Sequence, residues 1–565
     1  MLIDLKNYKH LWIGDDATLA LQEALLACAA NPGSTLKLGG GTLHFYKEFA
    51  FEQEYYISNN DYSKKSIIFP LIGMKDITID GEGAELLFHG TVLPFVIDNS
   101  ENITITNLSV DYPHPFFFQG QITAADEHSV ELTYDTEEFS ARVQNNEIVF
   151  YSEKDGWEMA KSRLLACECE ADTKAPSAYI SPYIAYLADA NDGSFLSGMY
   201  RYLKPEQLAP GKIRLTGEIK QRHTVGNMWV CTFAGRENPG IFGNRSKNIQ
   251  IKNVTLYHTA SMGIICQLCE NVTMEKLFTI IRPGSDRYLS VNADSTHFVN
   301  CTGAIRYEGC VFTNMLDDAG NTHGNYTRFI RQLNKNTLLA AFGHFQQKGV
   351  NLYDAGDKVH IVDNTTMQAI TTLTVKDSFL LSGGYVRLEF EEELPALKDG
   401  YVIENFTKMP ELYINNCECG HNRPRGFLPG TWRKTVITNN TFYNMMCGLH
   451  FTGDANDWFE CGPVNDVLIK GNNFKNSSYT GGAAIAISPH IKGEAAPFHK
   501  NILIEDNIFE LHEERFLSAN YVENLTMRGN KFIKNPDFPS HSKIGENGIS
   551  TKNCKNISIE PPEEI

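Results

Sequence analysis

Residues 247–257 read KNIQIKNVTLY and residues 270–278 read ENVTMEKLF; in each, an Asn is followed by alternating apolar and polar residues, and the two Asn stand 23 positions apart. The phrase recurs as KDITIDG (75–81), ENITITNLSV (101–110), NDVLIKGNNF (465–474), KNILIEDNIF (500–509), ENLTMRGNKF (523–532) and KNISIEP (555–561). Asp76 and Asn102 are 26 apart, and Asn501 and Asn524 are again 23 apart. Alternation over four to six residues marks a half-buried strand. Short strands and Asn or Gly turns repeating every two dozen residues mark a solenoid. Leucine-rich repeats share the period but need regular Leu positions, which are absent. The pattern predicts an all-β parallel β-helix, whose equivalent positions stack about 4.8 Å apart from coil to coil. Asn at the recurrent turn suits it, since Asn tolerates left-handed geometry and can form a side-chain ladder. The N-x-S/T matches at Asn102, Asn253, Asn271, Asn524 and Asn556 follow from this repeat, not from glycosylation.

Outward from the repeat, residues 15–45 (DDATLALQEALLACAANPGSTLKLGGGTLHF) predict an N-terminal helical cap. Leu19, Leu21, Leu25 and Leu26 lie near one helical face, Asp15 and Asp16 stand at its start, and Pro32-Gly33 stops it. Two stretches break the rhythm. Residues 115–235 carry VELTYDTEE, EIVFYS and KIRLTGEIK; residues 328–408 carry GDKVHIVD, AITTLTVKD and YVRLEFEEELP. Both read as β-rich insertions looped out of the solenoid. The expected division is 1–114 for the cap and first coils, 115–235 for one insertion, 236–327 for middle coils, 328–408 for the second insertion and 409–565 for the last coils.

The 565 residues are 42% hydrophobic and 21% charged, outside the disordered and low-complexity classes. Lys plus Arg total 50 against 68 Asp plus Glu, a net charge of −18 that excludes nucleic acid or an anionic membrane as main partner. No run of about 18 apolar residues is present. The first residues, MLIDLKNYKHLWIGDD, carry no signal-peptide pattern, so a cytoplasmic location is expected, or a secreted or periplasmic one if a leader has been removed. The thirteen Cys, an odd number, read as small buried hydrophobes. Phosphate-loop, dinucleotide, zincin and hydrolase-elbow motifs are absent, and Gly39–Gly41 is a turn. No cofactor is expected.

The chemistry concentrates in residues 289–326, LSVNADSTHFVNCTGAIRYEGCVFTNMLDDAGNTHGNY. Asp294 precedes Asp317 and Asp318 by 23 and 24 residues, one coil, so the three carboxylates should gather on one patch. Like charges at close range raise at least one pKa, leaving an acid near neutrality beside a charged neighbour able to activate water. That is glycosidase equipment. An acidic turn or a calcium site are the alternatives. For Asp317 and Asp318 both to face a cleft, the backbone must bend there. His323, in NTHG, is structural or part of the site. Arg287, in RPGSDRYLS, either pairs with an Asp or contacts a sugar. In HNRPRGFLPGTWRK, Asn422, Arg423 and Arg425 can bind hydroxyls or hold carboxylates. In FTGDANDWFECGPV, Asp454, Asp457, Trp458 and Glu460 supply the acid-plus-aromatic chemistry of a neutral sugar pocket. Phe474, Phe509 and Phe532, at repeat ends, are core.

The ordered set NADSTHF, MLDDAGNTHG, NRPRG and GDANDWFECGP resembles glycoside hydrolase family 110, the α-galactosidases of terminal α-1,3-linked galactose, including blood-group-B-type epitopes. The resemblance runs over most of the chain. It implies a right-handed parallel β-helix with β-barrel insertions, Asp317 as general acid, Asp294 and Asp318 orienting and deprotonating water, inversion at the anomeric carbon, and no metal. It also implies sugar contacts from Asn422, Arg423, Arg425, Asp454, Trp458 and Glu460. Pro424 and Pro429 depart from the pattern and bear on the shape of that loop. For inversion, acid and base carboxyls should lie roughly 6.5–9.5 Å apart; about 5 Å favours retention. The expected partner is a neutral galactose-terminated glycan, and flat solenoid faces are compatible with a homodimer.

Other β-helix readings stay open. A polygalacturonase-like hydrolase matches Asn292, Asp294, Asp317 and Asp318, but lacks a convincing R-x-K, and its acidic polymer would meet a strongly negative protein. A calcium-dependent lyase would reveal itself by EDTA sensitivity. A non-catalytic adhesin or tail-spike stalk would bind without hydrolysis.

Overall fold

The computed structural model describes residues 1–187, 199–233, 235–540 and 543–565. Its spine is one uninterrupted column of parallel-paired residues: Ile77, Ile103, Ile249, Val272, Ile305, Leu412, Thr435, Val467, Ile502, Leu525 and Ile557. From Ile77 to Leu525 every apolar member is at most 3% exposed. The column passes from 103 to 249 and from 305 to 412 as though the chain between were absent, which is how a parallel solenoid tolerates insertions: each coil needs only its two neighbours.

The recurrent turn is left-handed where the sequence places Asp or Asn. Asp76, Asn102, Asn248 and Asn271 have φ of 55°, 56°, 55° and 59°. Their side chains bond in sequence, Asn102 Nδ2 to Asp76 Oδ1 at 2.6 Å, Asn248 to Asn102 at 2.8 Å and Asn271 to Asn248 at 3.1 Å. A second ladder, fully buried, joins Asn440, Asn472, Asn507 and Asn530, each Nδ2 donating to the next Oδ1 at 2.9 Å. Behind it Phe442, Phe474 and Phe509 stack at 5.0 Å between ring centroids, with Phe532 next in register.

At the N-terminus a helix, Thr18–Ala29, buries Ala20, Leu21, Ala24, Leu25 and Cys28 in the solenoid core. It differs from expectation in two details. Leu26 is 64% exposed, because it falls outside the arc shared by Leu21 and Leu25. The acidic pair does not supply the N-cap, which is Ala17; Asp16 instead accepts the Thr18 N–H at 2.8 Å.

Between the coils ending at Asp111 and beginning at Ile241, seven strands close a barrel. They are Phe117–Ala125, Ser129–Thr133, Lys212–Gly217, Tyr200–Ala209, Tyr183–Tyr186, Arg163–Cys169 and Met228–Thr232 in spatial order. A three-stranded antiparallel sheet, spanning 141–161, accompanies it. A second barrel closes through Thr337–Phe342, Tyr385–Phe390, Ala369–Ser382, Lys358–Asp363 and Tyr401–Asn405 around its own core of Leu338, Val359, Val375, Val386 and Leu388. The strand that closes it, Gly320–Asn334, is shared. Its first residues pair in parallel with Thr296–Phe298 and Phe427–Pro429 of neighbouring coils, and its later residues enter the barrel. All thirteen Cys are free, twelve of them buried, including Cys266 and Cys269 in C-x-x-C spacing. No helix among the described residues is long and apolar enough to cross a membrane.

Candidate active site

Three consecutive coils build one wall of a cleft. Thr296 pairs with Gly320 and Gly320 with Phe427, so Asp294, Asp318 and Arg425 follow one another up the solenoid. The Ser295 N–H donates to the Asp318 carbonyl at 2.9 Å. Strand Val311–Thr313 ends four residues before Asp317 and the next strand begins at Gly320. In that bend Asp317 and Asp318 escape the opposite-face rule of a strand, and both reach the cleft. Asp294, Asp317 and Asp318 each place an oxygen within 4.8 Å of the others. Stacked coils hold Asp294 and Asp318 only one β-spacing apart, which brings these oxygens together.

Two arginines neutralise part of that charge. Arg425 grips Asp318 with Nε on Oδ1 at 2.9 Å and Nη2 on Oδ2 at 2.8 Å, a bidentate pair. Arg236 Nη2 donates to Asp317 Oδ2 at 2.6 Å. Arg423 is more distant, with Nη2 4.0 Å from Asp317 Oδ1 and Nε on the Leu316 carbonyl. Burial, reinforced by the Asp317 charge and opposed by Arg236, pushes Asp294 up to about 7. Asp318 is pushed up to about 8 by burial, against Arg425, with Asp317 and Asp294 adding to the rise. Neither is a surface turn: Asp294 is 3% and Asp318 2% exposed.

Beneath the carboxylates lies a buried imidazole pair. His297 Nδ1 is 2.5 Å from Asp294 Oδ2, His297 Nε2 is 2.8 Å from His323 Nε2, and His323 Nδ1 is 2.9 Å from the Gly324 carbonyl. Glu460 Oε1 is 3.4 Å from His323 Nε2. Its carboxylate accepts from Asn59 at 2.9 Å and Asn321 at 3.3 Å. Burial raises Glu460, but His323, His297 and the two amides outweigh it and hold the group below its ordinary value.

The opposite side carries Trp458, whose ring lies 4.8 Å from His344, and His344 in turn 4.5 Å from the ring of Phe345. Asp454 shapes this loop by accepting the backbone N–H groups of Asn456, Asp457 and Trp458 at 2.8, 3.1 and 2.6 Å. The cleft has a volume of about 160 Å³ and is lined by five carboxylates (Asp294, Asp317, Asp318, Asp454, Glu460) against two guanidinium groups (Arg236, Arg425). These groups offer many hydrogen-bond partners for neutral hydroxyls.

Three of the residues singled out as sugar contacts lie off the cleft wall, and for Arg287 the structure has the alternative of pairing with an Asp. Arg287 is not in the cleft: its guanidinium bonds Asp111 and Glu138, both at 2.8 Å, and the Tyr112 carbonyl, pinning the first barrel to the solenoid. Asn422 is fully buried and donates to the Asp317 and Arg425 carbonyls, so it braces the loop. His323 is 4% exposed and sits behind Glu460 and His297, away from the main cleft wall. Conversely, Arg236, Asn59, His297, Asn321, His450 and His490 line the cleft without having been singled out. His297 stood inside NADSTHF, three residues from Asp294; Arg236, at the exit of an insertion, carried no local signal.

Donor atoms within 4.8 Å of one another also occur in His297–His323–Glu460 and Asp454–Asp457–His490. In the first, the short Nε2–Nε2 contact is a hydrogen bond between rings; in the carboxylate triad, arginines occupy the cationic role. A cleft of acids on the flank of a parallel β-helix fits a carbohydrate-active enzyme of the β-helix class.

Comparison with known proteins narrows the class. Residues 118–228 match the family model for GLAA-B β-barrel domain I and residues 337–402 that for GLAA-B β-barrel domain II. The chain is 32% identical over 554 residues to α-1,3-galactosidase B of Bacteroides thetaiotaomicron, covering 95% of this chain and 87% of that one. It is 32% identical over 534 residues to α-1,3-galactosidase A of Shewanella woodyi, covering 93% and 84%. The family 28 exopolygalacturonase of Yersinia enterocolitica overlaps at a TM-score of 0.38 and 12% identity, over 99% of this chain and 78% of that one, too remote to bear on function. The chain belongs to the α-1,3-galactosidase family, glycoside hydrolase family 110, and is a glycosidase.

Proposed function

We propose that the protein is an exo-acting, inverting α-1,3-galactosidase that removes terminal α-1,3-linked galactose from neutral glycans. The convergence of Asp294, Asp317 and Asp318 in a net-negative cleft carries this reading, supported by the names of the relatives. Asp317 protonates the leaving oxygen. Asp294 and Asp318 hold the attacking water between adjacent coils, and Arg425 keeps Asp318 oriented. Glu460, Asp454 and the Trp458 ring receive the galactose, its hydroxyls on the acids and its apolar face on the indole. We also infer a right-handed winding, with the barrels as insertions between coils, on the strength of family membership.

The test is product analysis by NMR on galactose-α-1,3-galactose and a blood-group-B trisaccharide with EDTA present. Release of β-galactose is expected. A second reading has its own support: the Arg236–Asp317 ion pair suits Asp317 as a charged nucleophile, with Asp294 or Asp318 as acid. That scheme yields α-galactose first. No galactose from either substrate would sink both schemes.

A further inference from the structure

The chain Asp294–His297–His323 has a direction that its hydrogen bonds impose. The Gly324 carbonyl can only accept, so His323 Nδ1 carries a hydrogen. In a neutral His323 the other nitrogen, Nε2, is then bare and accepts from His297 Nε2. His297 Nδ1 is consequently bare as well, and the carboxyl facing it supplies the hydrogen from Oδ2. Among the other placements of these three protons, one leaves His297 neutral. If Asp294 passes its proton to His297 Nδ1 and His297 passes its Nε2 proton to His323 Nε2, the result is an Asp294 carboxylate and a His323 imidazolium. Glu460 Oε1, 3.4 Å from that Nε2, faces the new positive charge. Asn59 and Asn321 hold Glu460 in place.

We propose that Asp294, His297 and His323 form a two-step proton relay that converts Asp294 from carboxylic acid to ionised base by storing its proton on His323 against Glu460. This rests on the reading in which Asp294 helps deprotonate water. The balance closes. Asp294 Oδ2–H and His297 Nε2–H break while His297 Nδ1–H and His323 Nε2–H form. Water then bonds the anomeric carbon and gives a proton to Asp294, while Asp317 gives its proton to the leaving oxygen. On product release the proton stored on His323 leaves, and Asp317 regains one from solvent. The groups facing the relay are Asp317, Asp318 and Glu460 on the negative side and Arg236 and Arg425 on the positive. Burial pushes Asp294 up to about 7 and, with His323, pushes His297 well below its ordinary value, which agrees with a resting proton on the carboxyl. His297 and His323 are thus positioning residues, acting through Asp294.

Two measurements test it. In protein labelled with 15N-histidine, the resting state near pH 7 should show His297 protonated on Nε2 and bare on Nδ1, and His323 protonated on Nδ1. A His297 protonated on Nδ1 at rest overturns the resting arrangement. His297→Gln and His323→Gln should each lower kcat about 100-fold on both good and poor leaving groups. KM for galactosides should change less than about threefold, and the limb of the pH profile governed by Asp294 should move. Turnover within about threefold of wild type, with an unmoved profile, overturns the relay. The NMR result does not depend on turnover. If the wild type releases no galactose, the functional reading fails; if it does and the variants keep pace, only the relay fails.

Discussion

Replacing Arg425 by Gln removes the fork that holds the buried Asp318 carboxylate. With charge centres about 4 Å apart and an effective dielectric constant of about 20, the pair is worth about 4 kcal/mol. The Arg425 side chain is 25% exposed, and solvent screening reduces that to on the order of 1.5–3 kcal/mol. The sign follows from the role. Asp318 must be ionised to accept a hydrogen bond from the water that Asp294 deprotonates, and burial already pushes it up to about 8 with Arg425 in place. Without the guanidinium the carboxyl rises further, so the acid-side limb of kcat against pH should move upward by about one to two pH units. At pH 7 the loss in kcat should be about 10- to 100-fold. The assay is a pH–rate profile on an aryl α-galactoside with an activated leaving group, which removes dependence on the acid. Arg425→Lys should recover part of the shift, since a point charge replaces the charge but not the fork. A limb that stays in place, or moves down, would refute Asp318 as the charged, water-orienting carboxylate steadied by Arg425.

Asp317→Asn should lose most activity on a disaccharide, by about 10²- to 10⁴-fold, and much less on an activated aryl galactoside. Asp294→Asn should lose on both, and near-wild-type turnover by that variant sinks the three-carboxylate scheme. Because the folded pKa of Asp294 lies near 7, above its unfolded value, its stabilising neutral form is fully present at low pH and lost as pH rises to about 7. Asp294→Asn should therefore raise Tm on the order of 1–3 °C at pH 8 and leave it unchanged near pH 4, as scanning calorimetry would report. Trp458→Ala should raise KM for oligosaccharides roughly tenfold with little change in kcat, since its ring offers a stacking face and no proton. Asn472→Leu strips the Asn440 N–H and Nδ2 of their acceptor and should destabilise the coil by about 2–4 kcal/mol, seen as a lowered midpoint in urea.

The path of the solenoid was legible because a β-helix writes its geometry locally. Each turn at Asp76, Asn102, Asn248 or Asn271 needs a residue that accepts positive φ, and each strand needs one buried face, so both recur in the sequence. The Asp294 to Asp317–Asp318 spacing was legible for the same reason, as one coil is one stack. Arg425, 107 residues beyond Asp318, was picked out for its motif and not for its place. Only the excision of the second barrel from the register reveals that it occupies the next coil.

What sequence alone determined, then, is whatever repeats: the parallel coils, the Asn ladders, the aromatic column and the stacking of three carboxylates. Tertiary structure decided the partners. Arg236 arrives from the end of one barrel, and Asn321 and His323 sit on the strand that opens the other. Asn59 and Glu460 meet across 401 residues. It also withdrew Arg287, Asn422 and His323 from the sugar wall into bracing or buried roles. The physical reason is range. A turn preference or an alternating face acts within a few residues and leaves a local mark, whereas hydrogen bonds and ion pairs depend on distances in space that chain position does not encode.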